Sequence, residues 1–222
     1  MHPSTRLGIL HLCLGVLVFS LQDAIVKRVS GAYPLTQVVV VRSLVGLPIL
    51  LALVQHTVGW RALWGADVGP LLWRALILFV SYTAYYMAFP ALPLADAVAL
   101  YFTVPLFVTA LAGPLLGERV GWRVGWAVLL GFVGVLVMLR PGSGLFEPAA
   151  LLSLLSAALY GGSQLMARRL GTTQVAAVMS FYQNAVFLAG ALALAALLQG
   201  LGIHDAAHPS LSFLVRPWVW PT

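Results

Sequence analysis

The chain has 222 residues, of which 61% are hydrophobic and only 8% are charged, and its formal net charge is +6. A soluble domain carries charge on about a quarter of its residues, so this composition excludes an ordinary soluble protein and predicts an integral membrane protein. Basic residues stand at the ends of apolar segments, a pattern typical of membrane anchors rather than of nucleic-acid binding. The single cysteine, Cys13, excludes an intrachain disulfide framework.

Apolar segments of about 20 residues, separated by turn residues or charges, predict transmembrane helices. They lack the alternation of polar and apolar residues that membrane β-strands require. The first segment also fits a signal peptide. However, Gln22, Asp23 and Lys27 follow it, and no small-residue cleavage pattern is present. This favours an uncleaved first transmembrane helix. The sequence therefore predicts an all-α polytopic helical bundle. Its predicted spans one to seven cover residues 8–28, 35–54, 70–90, 95–115, 122–140, 148–167 and 175–198.

The distribution of basic residues predicts the orientation of the bundle in a bacterial inner (plasma) membrane. With the N-terminus in the cytoplasm, seven basic residues lie at cytoplasmic ends of spans and five at the opposite ends. Because positive charge is enriched in cytoplasmic loops, this excess favours a cytoplasmic N-terminus. The seven are Arg6, Arg61, Arg74, Arg119, Arg123, Arg168 and Arg169.

An offset of 141 residues aligns spans one and two with spans six and seven, so that Asp23 meets Gln164 and Arg42 meets Gln183. A repeat unit of five spans inverts the second copy relative to the first, which is a common plan in transporters. We expect a first five-helix repeat over residues 1–141 and an incomplete second repeat over residues 147–222. The second repeat then holds two helices and the loop before an expected eighth, so three helices of a complete pair are expected to be missing.

Charged side chains within spans are expensive in lipid and therefore mark candidate functional sites. Asp23 and Lys27 are four residues apart on one helical face, so they can pair beside a solute path or form an interfacial pair with Lys27 reaching towards the headgroups. Arg42, inside span two, can bind an anionic group or hold Asp23. Arg74 at the start of span three is interpreted as a topology anchor.

Aromatic and amide side chains at helical spacing within spans three, four, six and seven complete a predicted solute cavity. Such side chains can contact a planar or polar solute, or they can instead serve helix packing. Pro105 in the middle of span four predicts a kink and a candidate hinge. The predicted cavity residues are Asp23, Lys27, Arg42, Tyr82, Tyr86, Phe102, Tyr160, Gln164 and Gln183.

Features of enzymes and cofactor sites are weak in this sequence. There is no Walker loop, zinc-protease motif or nucleophile elbow, so we predict a protein that is not an enzyme and needs no cofactor. His204 and His208 have a metal-like spacing, but they lie in a loop beside Gly202 and Pro209. An intramembrane enzyme would require His11, Ser20 and Asp23 to surround one buried site, which is difficult to achieve on a single helix.

Two stretches of the chain resemble the EamA-type carriers of the drug/metabolite transporter superfamily. The first is the sequence from Leu92 to Phe107, with Leu-Pro-Leu-Ala-Asp-Ala at its start. The second runs from Gly117-Glu118-Arg119-Val120-Gly121 to Arg140-Pro141-Gly142. The resemblance implies a ten-helix carrier made of two inverted halves around a central cavity, which works by alternating access and often exports metabolites.

We therefore predict a secondary transporter that moves a small polar metabolite or drug-like solute across the inner membrane, with export as the expected direction. The alternative is a non-transporting membrane fragment or scaffold, because three helices of the expected ten are missing. The expected partners are the lipid bilayer and a small-molecule solute, and no nucleic acid. Glycine pairs such as Gly113 and Gly117 favour packing within the chain and leave a homodimer open.

Overall fold

The computed structural model describes residues 3–118, 121–139, 147–203 and 212–219, and every regular element within these residues is an α-helix. Seven of the described helical segments are long and apolar enough to cross a membrane, which confirms the predicted polytopic bundle. Short helices lie in the loop between spans two and three and near the end of the chain. The helices are α1 (Pro3–Val29), α2 (Leu35–Thr57), α3 (Arg61–Trp64), α4 (Val68–Met87), α5 (Leu94–Tyr101), α6 (Val104–Leu116), α7 (Trp122–Leu139), α8 (Ala149–Leu170), α9 (Ala176–Gly200) and α10 (Ser212–Val215).

Span four is divided into two helices, α5 and α6, with a break at Phe102 and Thr103. Pro105 lies in the first turn of α6, where its missing N–H is tolerated but where it cannot donate to the carbonyl of Tyr101 and continue α5. The Thr103 hydroxyl bonds to the Leu100 carbonyl at 2.6 Å and supplies a donor at the break. The α6 helix ends at Gly117, whose φ of +71° is readily adopted only by a residue without a Cβ.

Span three (α4) is the central helix, and it packs against span six (α8) and span seven (α9). Span two (α2) packs along span seven, both halves of span four pack on span six, and span five (α7) packs on α6. Spans two and three make little direct contact, and span seven packs against both of them. Span one (α1) and span five are the least buried spans. In each of them, only 6% of an apolar 18-residue stretch is buried within the described bundle.

Small residues allow span six to approach its neighbours closely, which is how helices associate in lipid, where apolar burial gives little driving force. The Ser81 hydroxyl of span three lies 2.9 Å from the Ser156 carbonyl and 3.0 Å from the Ser156 hydroxyl of span six. At Gly161, a Cβ would lie 3.2 Å from the Cβ of Phe107 and 3.3 Å from the Val108 nitrogen. Spans three and six are therefore joined by the buried Ser81–Ser156 hydrogen bond, and span six packs closely against the backbone of α6 at Gly161.

Two apolar clusters occupy opposite ends of spans two, three and seven. The large cluster includes Val39, Leu78 and Phe187. The small cluster includes Val54, Leu71 and Val178. Between the two clusters, the same three helices carry polar side chains, which we call the polar layer. The polar layer consists of Arg42, Ser43, Arg74, Gln183 and Asn184.

Candidate functional site

Arg42 reaches from span two over aromatic rings of two other helices. Its guanidinium carbon lies 4.5 Å from the ring centroid of Tyr82 in span three and 5.3 Å from that of Phe187 in span seven. The Arg42 guanidinium has no acidic partner in the described part of the chain, and the side chain is only partly buried. Because a guanidinium has five N–H donors, Arg42 keeps donors free between spans two and three.

The Tyr82 ring lies under this guanidinium and also contacts Phe187, with ring centroids 5.3 Å apart. The Tyr82 hydroxyl is buried and lacks a hydrogen-bond partner among the described residues. A buried hydroxyl without a partner is costly, so it is a second donor available to a bound solute. Arg42 and Tyr82 thus combine charge, a planar face and an unused hydroxyl at one place.

Arg74 enters the same layer from span three and was missed as a site residue by the sequence analysis. Its Nη1 donates to the Gln183 side-chain oxygen at 3.4 Å, while its Nε is buried without a partner among the described residues. The topology-anchor interpretation assumed that span three begins at residue 70, but α4 begins at Val68. Arg74 lies about 9 Å along the helix, and its guanidinium contacts Gln183 of span seven.

Asn184 and Ser43 join spans two and seven within the polar layer. The Asn184 side-chain nitrogen donates to the backbone carbonyl of Ser43 at 3.0 Å. Gly46 lies one turn further along span two, where a Cβ would come within 3.2 Å of the same nitrogen. This contact fixes the position of Gln183, the neighbour of Asn184, and of Arg42, the neighbour of Ser43.

Asp23 forms a separate polar group with two tyrosines of span three. Its carboxylate accepts hydrogen bonds from the hydroxyls of Tyr86 at 2.6 Å and Tyr85 at 3.1 Å. Gln22 donates to the Tyr86 hydroxyl at 3.0 Å. Tyr86 is 1% exposed, so this group ties span one to span three in the interior.

Lys27 does not pair with Asp23, although the two are four residues apart. Its ammonium instead donates to the backbone carbonyls of Phe89 and Leu92, just past the end of span three. These carbonyls follow the C-terminus of a helix, where a cation also interacts favourably with the helix dipole. The position favours a capping role, and no described residue within 4 Å provides Lys27 with an acidic partner.

A row of aromatic rings leads from the Asp23 group to span six. Tyr85 lies 4.7 Å from Tyr101 and Tyr101 lies 5.5 Å from Tyr160, measured between ring centroids. Gln164 donates to the Tyr160 hydroxyl at 3.1 Å within the same helix.

The predicted cavity residues therefore lie in several separate parts of the bundle. Arg42, Tyr82 and Gln183 meet in or beside the polar layer, together with Arg74 and Phe187, which the sequence analysis did not select. Phe102 is 71% exposed at the break in span four and does not join them. A helical-wheel comparison of spans three and seven would have found Phe187, because it lies one turn after Gln183.

A cavity of about 450 Å³ lies elsewhere, where α5 and the end of span five meet the start of span six. Its lining includes Asp96 and Glu147 among apolar side chains and includes no predicted cavity residue. Within the described residues, no group of three or more His, Cys, Asp or Glu side chains could hold a metal ion. The proposed metal spacing of His204 and His208 lies outside the described residues.

The arrangement expected of an intramembrane enzyme is not formed by the described side chains. His11 and Ser20 each bond to a carbonyl of their own helix, at Leu7 and Val16. Asp23 is turned towards the tyrosines instead. The polar layer thus brings together side chains from three helices.

Comparison with known proteins identifies the family of this chain. The model of the EamA-like transporter family matches residues 6–140, more than half of the chain. This chain belongs to the EamA-like transporter family. The matched range ends at the close of span five, so it contains Arg42, Arg74 and Tyr82 but not Gln183 or Phe187.

Several relatives with assigned names are also similar to this chain. The pseudopaline exporter CntI of Pseudomonas aeruginosa is 31% identical over 180 residues, which are 81% of this chain and 63% of that protein. A riboflavin transporter of Rhizobium johnstonii is 34% identical over 99 residues, 45% of this chain and 33% of its own. The S-adenosylmethionine uptake transporter of Rickettsia prowazekii is 27% identical over 113 residues, 51% of this chain and 38% of its own. The chain thus spans less than two thirds of each relative, and no solved structure matches it.

Proposed function

We propose that the protein is a secondary transporter of a small polar solute, and that the solute binds beside Arg42, between spans two and three. The observation that carries this proposal is the Arg42 guanidinium, which lies over Tyr82 and Phe187 and has no acidic partner among the described residues. An ionisable group within a membrane bundle is expensive and is usually retained for a solute or ion path. Membership of a transporter family and relatives named as exporter and transporters support the same function.

Alternating access is the mechanism that we propose, with the polar layer as the fixed binding level. Apolar clusters lie on both sides of the layer, so a solute would pass one cluster to enter and the other to leave. The break at Phe102 and Thr103, just before Pro105, gives span four a place to bend, and the hinge role of Pro105 remains a prediction. We favour export because a relative that matches 81% of this chain is named an exporter.

The inverted repeat remains part of this proposal, with one copy over residues 1–141 and the start of a second over residues 147–222. Transporters with inverted repeats bind their solute near the membrane midplane, where the two copies meet. Span two and span seven, which are equivalent in the repeat, pack along each other at the polar layer. That packing supports a binding level between the copies.

We propose a bacterial inner-membrane location with a cytoplasmic N-terminus. Three of the basic residues contact other groups within the bundle and are therefore left out of the comparison of loop charges. They are Lys27, Arg42 and Arg74. The remaining basic residues then favour the cytoplasmic ends more clearly, with Arg61 and Arg123 among them and both exposed. A homodimer stays a prediction, and no contact among the described residues supports it.

Transport can be tested in proteoliposomes that contain this chain or any longer form that its gene encodes. The vesicles are loaded with a bacterial metabolite extract, and released solutes are identified by mass spectrometry. We expect at least one solute to be released by the native protein, at a strongly reduced rate by Arg42→Gln, and at the native rate by Arg61→Gln, which changes an exposed arginine outside the spans. Release that is equal in all three proteins and in empty vesicles would refute the proposal.

A further inference from the structure

The polar layer contains two arginines and no acidic side chain that balances them. Arg42 has no acidic partner among the described residues, and Arg74 has only the Gln183 amide oxygen at 3.4 Å, with its Nε buried and unpartnered. The described helices contain two acidic residues. Asp23 is bound by Tyr85 and Tyr86, and the Tyr86 ring contacts Tyr82 with centroids 4.2 Å apart. Asp96 is exposed in the first turn of α5. Neither arginine therefore forms an ion pair with a described residue.

Two unpaired guanidinium groups inside a membrane bundle are unfavourable because lipid and apolar side chains cannot solvate them. Arginine is well suited to bind a carboxylate or phosphate through a pair of parallel hydrogen bonds. An anionic solute would therefore satisfy donors that the protein leaves unsatisfied. A cationic solute would instead add a third positive charge to the layer.

The two guanidinium groups contact span seven at different levels. On span seven, their contacts Phe187 and Gln183 are one turn, or about 6 Å, apart. A single carboxylate is too small to bind both arginines, whereas two anionic groups at the ends of one solute fit this spacing.

The surfaces beside the arginines indicate the shape of the solute. Tyr82 and Phe187 present aromatic rings beside Arg42, and the buried Tyr82 hydroxyl lacks a partner in the described part of the chain. Aromatic rings contact planar groups well, and the hydroxyl can donate to an anionic oxygen. We infer that the site accepts a planar solute that carries two anionic groups, one for Arg42 and one for Arg74. This inference rests on the proposed transport function and specifies its substrate class.

The test uses three probes of similar shape and different charge: terephthalate with two carboxylates, benzoate with one, and terephthalamide with none. Their equilibrium binding to the purified native protein is measured in detergent at low salt. Because a hydrogen bond to a charged group contributes enough for roughly a tenfold or greater change in affinity, we expect terephthalate to bind about tenfold more tightly than benzoate. Terephthalamide should bind more weakly than either.

Arg42→Gln and Arg74→Gln should each lower the affinity for terephthalate to near that for benzoate, and Arg61→Gln should leave the series unchanged. If the native protein binds terephthalate and benzoate equally well, the inference is wrong. It is also wrong if Arg42→Gln and Arg74→Gln both keep the preference for terephthalate.

The proposed transport function can fail independently of the inferred substrate class. If a neutral or cationic solute is transported, the transport function stands and the dianion class falls. If terephthalate binds as expected but nothing is transported, the anion site stands and the transport function falls.

Discussion

Asn184 donates its side-chain hydrogen bond to the carbonyl of Ser43, a residue that lies 141 positions earlier in the chain. The same offset aligns the two copies of the predicted repeat, so Asn184 contacts its own counterpart. In a structure with two-fold pseudosymmetry, only residues close to the axis can do so. The contact therefore supports an axis between spans two and seven, immediately beside Arg42 and its counterpart Gln183.

Asn184→Leu should weaken the association of spans two and seven. The substitution removes a hydrogen bond between helices and leaves the Ser43 carbonyl without this donor, with an expected loss of about 0.6–2 kcal/mol in stability. Thermal or SDS-induced unfolding in detergent measures this loss. Gln199→Leu is the control, because Gln199 is an exposed amide near the end of the same helix. Equal stability of the two variants would contradict a structural role for the contact.

Gly161→Ala and the neighbouring Gly162→Ala should have opposite effects. A Cβ at residue 161 would lie 3.3 Å from the backbone nitrogen of Val108, whereas a Cβ at residue 162 meets nothing within 4 Å. Replacing an open glycine in a helix by alanine gains roughly 0.5–1 kcal/mol through backbone entropy, which should raise the melting temperature for Gly162→Ala. The crowded Gly161→Ala should lower the melting temperature by separating α6 from span six. A similar rise for both variants would show that span four does not pack as closely as described.

Tyr86→Phe should loosen span one from span three. The substitution removes the 2.6 Å hydrogen bond to Asp23 and also the acceptor for Gln22, at a cost of about 1.5–3 kcal/mol for a bond to a charged group. Disulfide cross-linking between cysteines introduced into spans one and three, in a Cys13→Ala background, measures the proximity. Tyr33→Phe is the matched control because Tyr33 lies in the loop before span two. Unchanged cross-linking in Tyr86→Phe would argue against this tie.

Lys27→Met should destabilise the end of span three, while the neighbouring Arg28→Met should not. Lys27 donates to the carbonyls of Phe89 and Leu92, and methionine has a similar length but cannot donate. We expect a loss of about 1–3 kcal/mol for Lys27→Met, seen as a lower melting temperature. Arg28 is exposed, so its substitution removes charge at nearly the same position without removing these bonds. An equal loss of stability in the two variants would show that positive charge at this end of span one, and not the hydrogen bonds from Lys27 to the carbonyls, stabilises the protein.

The bundle itself could be predicted from the sequence because apolar length determines whether a helix can cross the bilayer. The predicted spans agree with the described helices to within a few residues, and the transporter family indicated by the turn before span five was confirmed. The side-chain partners could not be predicted in the same way. Their spacing predicts that Asp23 and Lys27 share one helical face and can pair. In the structure, Asp23 binds tyrosine hydroxyls of span three and Lys27 binds free carbonyls just past its end. These partners come within reach only because span one lies beside span three.

Arg74 illustrates how packing between helices changes an inferred role. The start of α4 at Val68 rather than at residue 70 shifts Arg74 by only about 3 Å, whereas its contact with Gln183 depends on which end of span seven packs beside it. Phe102 illustrates the effect of a helix end, because the break in span four turns this ring outwards. Local sequence signals define helix ends least well.

The central claim is that Arg42 binds the solute during transport. The most direct test measures the initial rate of transport against solute concentration, with the solute identified from the released pool, for the native protein, Arg42→Lys, Arg42→Gln and the exposed-site control Arg61→Gln. We predict that Arg42→Gln raises KM by roughly tenfold or more, as expected for the loss of a charge-assisted hydrogen bond, and that Arg42→Lys recovers part of the affinity. An unchanged KM in Arg42→Gln, with transport intact, would contradict the account.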